Sequence, residues 1–253
     1  MWQFQSNSAP DRGDAGKAGT EPGQGTCTAD WGGDGITWTA HFRDTAPRLS
    51  VRFIDQGVDE AQPELLAWQP QAELVSLETD DVYVRGDDLI ASYSAPNSPF
   101  RRQFYWRHLP GPQSMETIFS LQNQELHGAL VARIRSRLPA TQAWLSSQGG
   151  QFLPMTLDSR QHLSISDGWI AVPLRHGRIY LEQLHPTDFR SGSVCVRDGR
   201  LEIVWELFGD PIEKGVIRRA RARAEFLSSV DFSPQLVAQR REQFAASPIP
   251  LTA

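Results

Sequence analysis

The sequence predicts an all-β protein: an antiparallel β-sandwich-like architecture from two tandem similar β units, with one C-terminal helix. Three observations carry that expectation. From Ile36 onward, short runs rich in β-branched and aromatic residues are separated by Gly, Asp, Asn and Pro, the residue types that bound strands. Asp167-Gly168 and Asp198-Gly199 suit two-residue type I′ turns, because Gly, and to a lesser degree Asp, tolerates positive φ. Finally, segments of the two halves resemble each other in conserved order, as a duplication would leave them.

Residues 1–25 hold five Gly and little apolar content beyond Trp2, Phe4 and a few Ala. That is too little to offset ordering entropy, and it predicts a flexible tail. Residues 26–79 are expected to supply N-terminal strands packing on the core. There, Ile36 to Phe42 and Leu49 to Ile54 read as strands, an irregular Pro-containing stretch runs to Pro70, and Ala72 to Leu77 resumes the strand pattern. The first unit, 80–147, offers Val82 to Arg85, Leu89 to Tyr93, Arg102 to Leu109 and Glu116 to Leu121. Within it, Leu126, Leu130, Ile134 and Leu138 recur every four residues as in a helix, yet Leu130, Ala132 and Ile134 also alternate with Val131, Arg133 and Arg135. The duplication favours strand. The second unit, 160–229, predicts a meander over 162–166, 169–175, 178–184, 193–197 and 200–208, closed by 216–227, with His176-Gly177 as a third turn. At 231–247 a helix is expected: Ser233 can cap it, Pro234 fits its first turn, and Leu236, Val237 and Phe244 share a face.

The duplication rests on three matches. Leu89-Ile90-Ala91 corresponds to Trp169-Ile170-Ala171, Phe104-Tyr105-Trp106 to Ile179-Tyr180-Leu181, and Trp144-Leu145-Ser146-Ser147 to Phe226-Leu227-Ser228-Ser229.

Composition narrows the function classes. A net charge of −5 opposes general nucleic-acid binding or an anionic-membrane surface. Lys17 and Lys214 are the only lysines among 25 basic residues, so the cationic chemistry is guanidinium chemistry, suited to carboxylate and phosphate. Cys27 and Cys195 make neither a disulfide framework nor a zinc motif, which points to a reducing, cytoplasmic setting. The absence of a long apolar run and of a basic-then-apolar start leads to the expectation of no membrane segment and no signal peptide. No nucleophile elbow, P-loop, dinucleotide fingerprint or paired-His spacing is present, so no cofactor and no metal are expected.

The candidate binding residues come from two strands. In Arg218 to Glu225, period two sends Ala220, Ala222, Ala224 and Phe226 one way and Arg219, Arg221, Arg223 and Glu225 the other. Three guanidiniums at intervals of about 7 Å could grip an anion. A hairpin closed by Gly209 to Gly215 would instead place Glu206 opposite Arg219 and Glu202 opposite Arg223, leaving Arg221 without a carboxylate. The other strand carries Phe104, Trp106 and His108 on one face, with Trp106 as core and His108 at the polar end, where a pocket mouth could form. Eight Trp beside Arg and Glu suit a carbohydrate site.

The functional expectation is a non-enzymatic all-β module binding a small anionic or carbohydrate ligand or a protein partner. The alternatives are a carbohydrate-active enzyme of epimerase or lyase type acting on an anionic sugar, with Arg gripping its carboxylate and a His or Glu as acid or base, and a local polyanion binder using the Arg stripe.

Overall fold

The computed structural model describes residues 1–6, 27–33, 35–42, 46–53, 62–69, 77–96, 98–110, 113–146, 152–158 and 162–248. In chain order the strands begin with β1 (Gln3–Ser6), β2 (Cys27–Gly33), β3 (Ile36–His41), β4 (Arg48–Phe53), β5 (Glu64–Gln69), β6 (Glu78–Arg85) and β7 (Asp88–Ser94). They continue with β8 (Phe100–His108), β9 (Ser114–Asn123), β10 (His127–Gly128), β11 (Ala132–Leu138), β12 (Gln142–Ser146), β13 (Phe152–Thr156) and β14 (His162–Ile165). The last are β15 (Trp169–Leu174), β16 (Arg178–Leu184), β17 (Ser191–Arg197), β18 (Arg200–Leu207), β19 (Ile212–Glu213) and β20 (Ile217–Ser228), followed by helix α1 (Pro234–Ala245).

Two antiparallel nine-stranded sheets form the sandwich. Sheet A has the order β1-β2-β3-β4-β5-β11-β18-β17-β14, and sheet B the order β13-β12-β15-β16-β20-β9-β8-β7-β6. Side chains alternating along each strand meet between them. Trp38 of sheet A packs on Phe226 of sheet B at 5.4 Å, and Phe53 meets the same ring edge-on at 4.9 Å. Inside this apolar layer lies a polar staple. Glu182 of β16 accepts hydrogen bonds from Tyr180 on its own strand and from Ser136 and Trp205 of the facing sheet. Among the described residues no helix is long and apolar enough to cross a membrane.

The helix is as the sequence predicts. Ser233 Oγ accepts from the Leu236 amide at 3.1 Å, and Val237 and Phe244 are buried. It packs on the outer face of sheet B, where Val237 joins Trp169, Ala171, Ile179, Leu181 and Leu227. Residues 132–138 are strand, resolving the ambiguous segment as the alternation of Ala132, Ile134 and Leu138 required.

Several expectations are corrected. The first residues are not all tail: Gln3–Ser6 pairs with β2, and Trp2 is 5% exposed, packed edge-on against Trp31 with its Nε1 donating to Asp87 O. Phe4 also meets Phe42 edge-on, so two aromatic rings anchor this edge strand. The remainder of the expected tail, 7–25, lies outside the described residues, as do 70–76 of the strand expected at Ala72 to Leu77. The stretch before Pro70 contains β5, a central strand of sheet A. Its period-two signal is hidden because Leu66 adopts φ 49 and the ladder to β11 shifts register, so that Leu65, Leu66 and Trp68 all join the core.

Pairing departs further from the meander. β15–β16 and β17–β18 are hairpins, and Asp198 (φ 53) with Gly199 (φ 71) makes the expected turn. Asp167-Gly168, however, carries the chain from sheet A to sheet B, with only Gly168 at positive φ, so β14 pairs with β17 and not with β15. Likewise β18 and β20 lie in different sheets. Phe208 (φ 59) and Gly209 (φ 131) turn the chain out of sheet A, and β19 pairs with β10 on the way.

The duplication is not met strand for strand. The hairpins β7–β8 and β15–β16 do stand symmetrically about the β20–β9 seam of sheet B. Yet the matched residues face opposite ways: Leu89, Ala91, Phe104 and Trp106 join the inter-sheet core, whereas Trp169, Ala171, Ile179 and Leu181 lie under α1. A one-residue phase difference reverses every side chain. β14 and β17 of the second unit also lie in sheet A, while β6 to β9 of the first unit all lie in sheet B.

Candidate functional site

The structure separates the six candidate residues into three places. Trp106 is 1% exposed in the core, stacked on Phe104. His108 shares its inward face and stacks on Trp31 at 4.8 Å with 13° between the rings, which makes it part of an aromatic cluster with Trp2.

Arg219, Arg221 and Arg223 lie on the outer face of sheet B, and Ala220, Ala222 and Ala224 point inward as period two requires. The expected pairing with Glu202 and Glu206 is wrong, because β20 is flanked by β16 and β9. A row of alternating charge crosses this face through register partners: Asp88, Arg107, Glu116, Arg223. Arg107 grips Asp88 through Nε and Nη2 at 2.5 and 2.6 Å, and Arg223 Nη2 donates to Glu116 at 3.1 Å. The end of α1 then covers the row. Arg223 lies 4.3 Å from the centre of the Phe244 ring, and Arg240 of the helix reaches Glu225 at 3.3 Å. Arg221, 4% exposed, donates to Ser247 O, Ser247 Oγ and Pro248 O at 3.0 to 3.2 Å. His185 Nε2 donates to Ala245 O, and burial followed by the Arg221 charge pushes its pKa down. This face is therefore a helix dock, with Arg221 as its clamp.

Glu206 lies on the outer face of sheet A, in an open trough of about 490 Å³. Its shape follows from the register. One row of side chains runs His162, Cys195, Glu202, Arg137; the next runs Ser164, Ser193, Val204, Arg135; the third runs Ser191, Glu206, Arg133, Gln69. The small residues Ser164, Ser193 and Val204 form a floor. The flanking rows are four residues apart along the strands, roughly 13 Å, and stand as walls.

The walls carry fixed donors and acceptors. Arg133 Nε and Nη2 donate to Glu206 Oε1 at 3.0 and 2.8 Å, and Ser191 donates to Oε2 at 2.8 Å. The Ser191 hydroxyl and then Arg133 hold the Glu206 carboxyl below its ordinary range, so it stays an acceptor at neutral pH. Glu202 sits 3.7 Å from both Arg137 and Arg197. Burial and then the Glu202 charge push the Cys195 thiol up, keeping it protonated and a weak nucleophile. Among the described residues no group of three or more His, Cys, Asp or Glu could hold a metal ion.

His162, Ser191, Ser193 and Arg133 were not singled out from the sequence. The available signal was the alternation of Ser191, Ser193 and Cys195 with Gly192, Val194 and Val196, which marks a strand with small polar groups on its solvent face. Gly192 completes the pattern on the inner side: a Cβ there would lie 2.4 Å from the Trp205 ring.

No protein-family model matches the sequence, and no curated protein matches it. Solved structures do resemble it. A candidate aldose 1-epimerase from Escherichia coli K12 superposes with TM-score 0.54 at 11% identity, over 79% of this chain and 99% of that one. An α-N-acetylgalactosaminidase from Bifidobacterium bifidum gives 0.55 at 10% identity, over 85% of this chain and 38% of that one. A GH36 α-galactosidase from Geobacillus stearothermophilus gives 0.50 at 8% identity, over 79% and 40%. The chain thus spans nearly all of the first and about two-fifths of each glycosidase. The likeness is one of fold.

Proposed function

We propose that this chain is a carbohydrate-binding β-sandwich module that holds a hydroxyl-rich sugar in the sheet A trough and performs no covalent chemistry there. The observation that carries the reading is the trough itself. Its volume falls within the usual range for small-molecule sites, its floor is cleared by small side chains, and its walls present arginine donors and carboxylate acceptors from rigid strands. Sugar hydroxyls are recognised by such planar, paired groups. The proteins of similar structure are an aldose 1-epimerase candidate and two glycosidases, which supports the ligand class. A depressed Glu206 and a protonated Cys195 suit binding better than acid or nucleophilic catalysis.

Among the described residues no Phe, Tyr or Trp ring lines the trough, so affinity rests on hydrogen bonds that exchange with water, and millimolar binding is expected. Calorimetric titration of the intact chain with D-galactose, D-glucose and D-galacturonate tests this. At least one sugar should bind, and Ser193→Trp, which fills the floor, should weaken it by about tenfold or more while leaving the unfolding temperature unchanged. Arg133→Ala should also weaken it, because Glu206 loses its fixed orientation. Equal affinity in wild type and Ser193→Trp, or no binding by any of the three, would reject the reading. A polarimetric acceleration of sugar mutarotation would show that the trough does chemistry, against the proposal.

A further inference from the structure

We infer a second binding site, independent of the trough, at the start of β20: a pocket for a tetrahedral oxyanion carried on a small ring compound. A cavity of about 200 Å³ opens between the loop holding Asp188, Phe189 and Arg190, the Phe208–Asp210 turn, and Arg218 and Arg219. β16 ends its pairing with β20 at Leu184 opposite Ala222. From there the first residues of β20 are open on that side, and both Arg218 and Arg219 can line one pocket.

Two of the three arginines there are not spent internally. Among the described residues Arg218 and Arg219 have no hydrogen-bond or ion-pair partner, and the buried Nε of Arg219 is unsatisfied. Arg190 completes the set, donating to Phe208 O at 3.2 Å and standing 3.6 Å from Asp210. Asp188 accepts from the Arg221 amide and the Thr187 hydroxyl and stands 3.9 Å from Arg221 Nε, so its charge is shared with Arg221. Three arginines against two aspartates line this small cavity, and its excess positive charge fits a phosphate or sulfate group, whose oxygens match the planar guanidinium fork.

Two phenyl rings that also pack on the inter-sheet core, Phe189 edge-on to Trp205, offer apolar contact to the rest of the ligand. Phe189 and Phe208 line the same cavity and are only partly buried. Phe208 is held at φ 59, a costly conformation for a bulky residue. At the next position a Cβ would lie 2.4 Å from Arg190 Nη1, so Gly209 is what lets that guanidinium lie across the turn. Backbone strain that sets a ring and an arginine beside an unpaired cation pair is consistent with a binding pocket. The parts of these rings left uncovered by the core add apolar contact that a free inorganic anion cannot use.

The test titrates the intact chain with phenyl phosphate, inorganic phosphate and inorganic sulfate, following the amide signals of Arg218, Arg219 and Arg190. Phenyl phosphate should bind most tightly, and Arg219→Gln should weaken it by about tenfold, with a further loss in the Arg218→Gln/Arg219→Gln pair. Neither variant removes a structural contact, so unfolding temperatures should match wild type. Ser193→Trp, which fills the trough floor and changes no charge, should leave phosphate binding unchanged. Equal affinities for phenyl and inorganic phosphate, both lost in Arg219→Gln, would retain the oxyanion site and assign it to the free ion. Undiminished binding in the double variant, or no binding of any probe, would overturn the proposal.

Discussion

Glu182→Ala is expected to destabilise the protein by about 3 kcal/mol, because it leaves buried donors of two sheets without an acceptor. Glu182 is fully buried, and the hydroxyls of Ser136 and Tyr180 and the indole N–H of Trp205 all converge on its carboxyl. The indole donor is fixed by the packing of its ring and has no rotamer with which to find another partner. Glu182→Gln keeps an oxygen for Trp205 and an amide the two hydroxyls can accept from, so its loss should be about 1 kcal/mol or less. The pair also has a pH signature. Burial raises the Glu182 pKa, against the lowering by its three donors. A raised native pKa means the charge penalty is absent below the unfolded-state value and fully present above the native one. Wild type should therefore gain stability relative to Glu182→Gln as pH falls from neutral through the native pKa. Chemical denaturation of both proteins across that range measures it, and parallel curves would show that Glu182 carries no buried charge.

Arg221→Ala should release the C-terminal end of α1. Its guanidinium holds two carbonyls and one hydroxyl of Ser247 and Pro248, and hydrogen bonds from charged donors are each worth about 1.5 to 3 kcal/mol. Removing the set should lower stability by about 2 kcal/mol, since the freed carbonyls can turn to water. The loss should be local. Amide exchange in α1 should accelerate by about tenfold or more while β9, β16 and β20 keep their protection. Sugar binding in the trough should persist. Uniform loss of protection across sheet B would instead place Arg221 in the folding core.

What could be read from the sequence was local. The alternation in Arg219 to Phe226 gave both faces of β20 correctly because period two is a property of a single strand. The partners of those arginines were misread because pairing depends on where a loop delivers the chain. The segment from Phe208 to Val216 crosses between sheets instead of closing a hairpin, and nothing in Gly209 or Gly215 distinguishes the two outcomes. Glu206 was rightly expected to be held by an arginine, but the arginine is Arg133, 73 residues away in sequence on a neighbouring strand. The trough escaped for the same reason. Its floor needs Ser164, Ser193 and Val204 in one row, and that row exists only once β14, β17 and β18 are adjacent. Trp106 was legible as core because an aromatic-rich strand has few other places to go.

In the proposed function, sugar sits on the outer face of sheet A. The most direct measurement is backbone amide mapping of the isotopically labelled chain during titration with D-galacturonate and D-galactose. Saturable shifts should cluster on His162 to Ser164, Ser191 to Cys195, Glu202 to Glu206 and Arg133, with sheet B and α1 silent. Shifts confined to the outer face of sheet B, or none at any sugar concentration, would contradict the account.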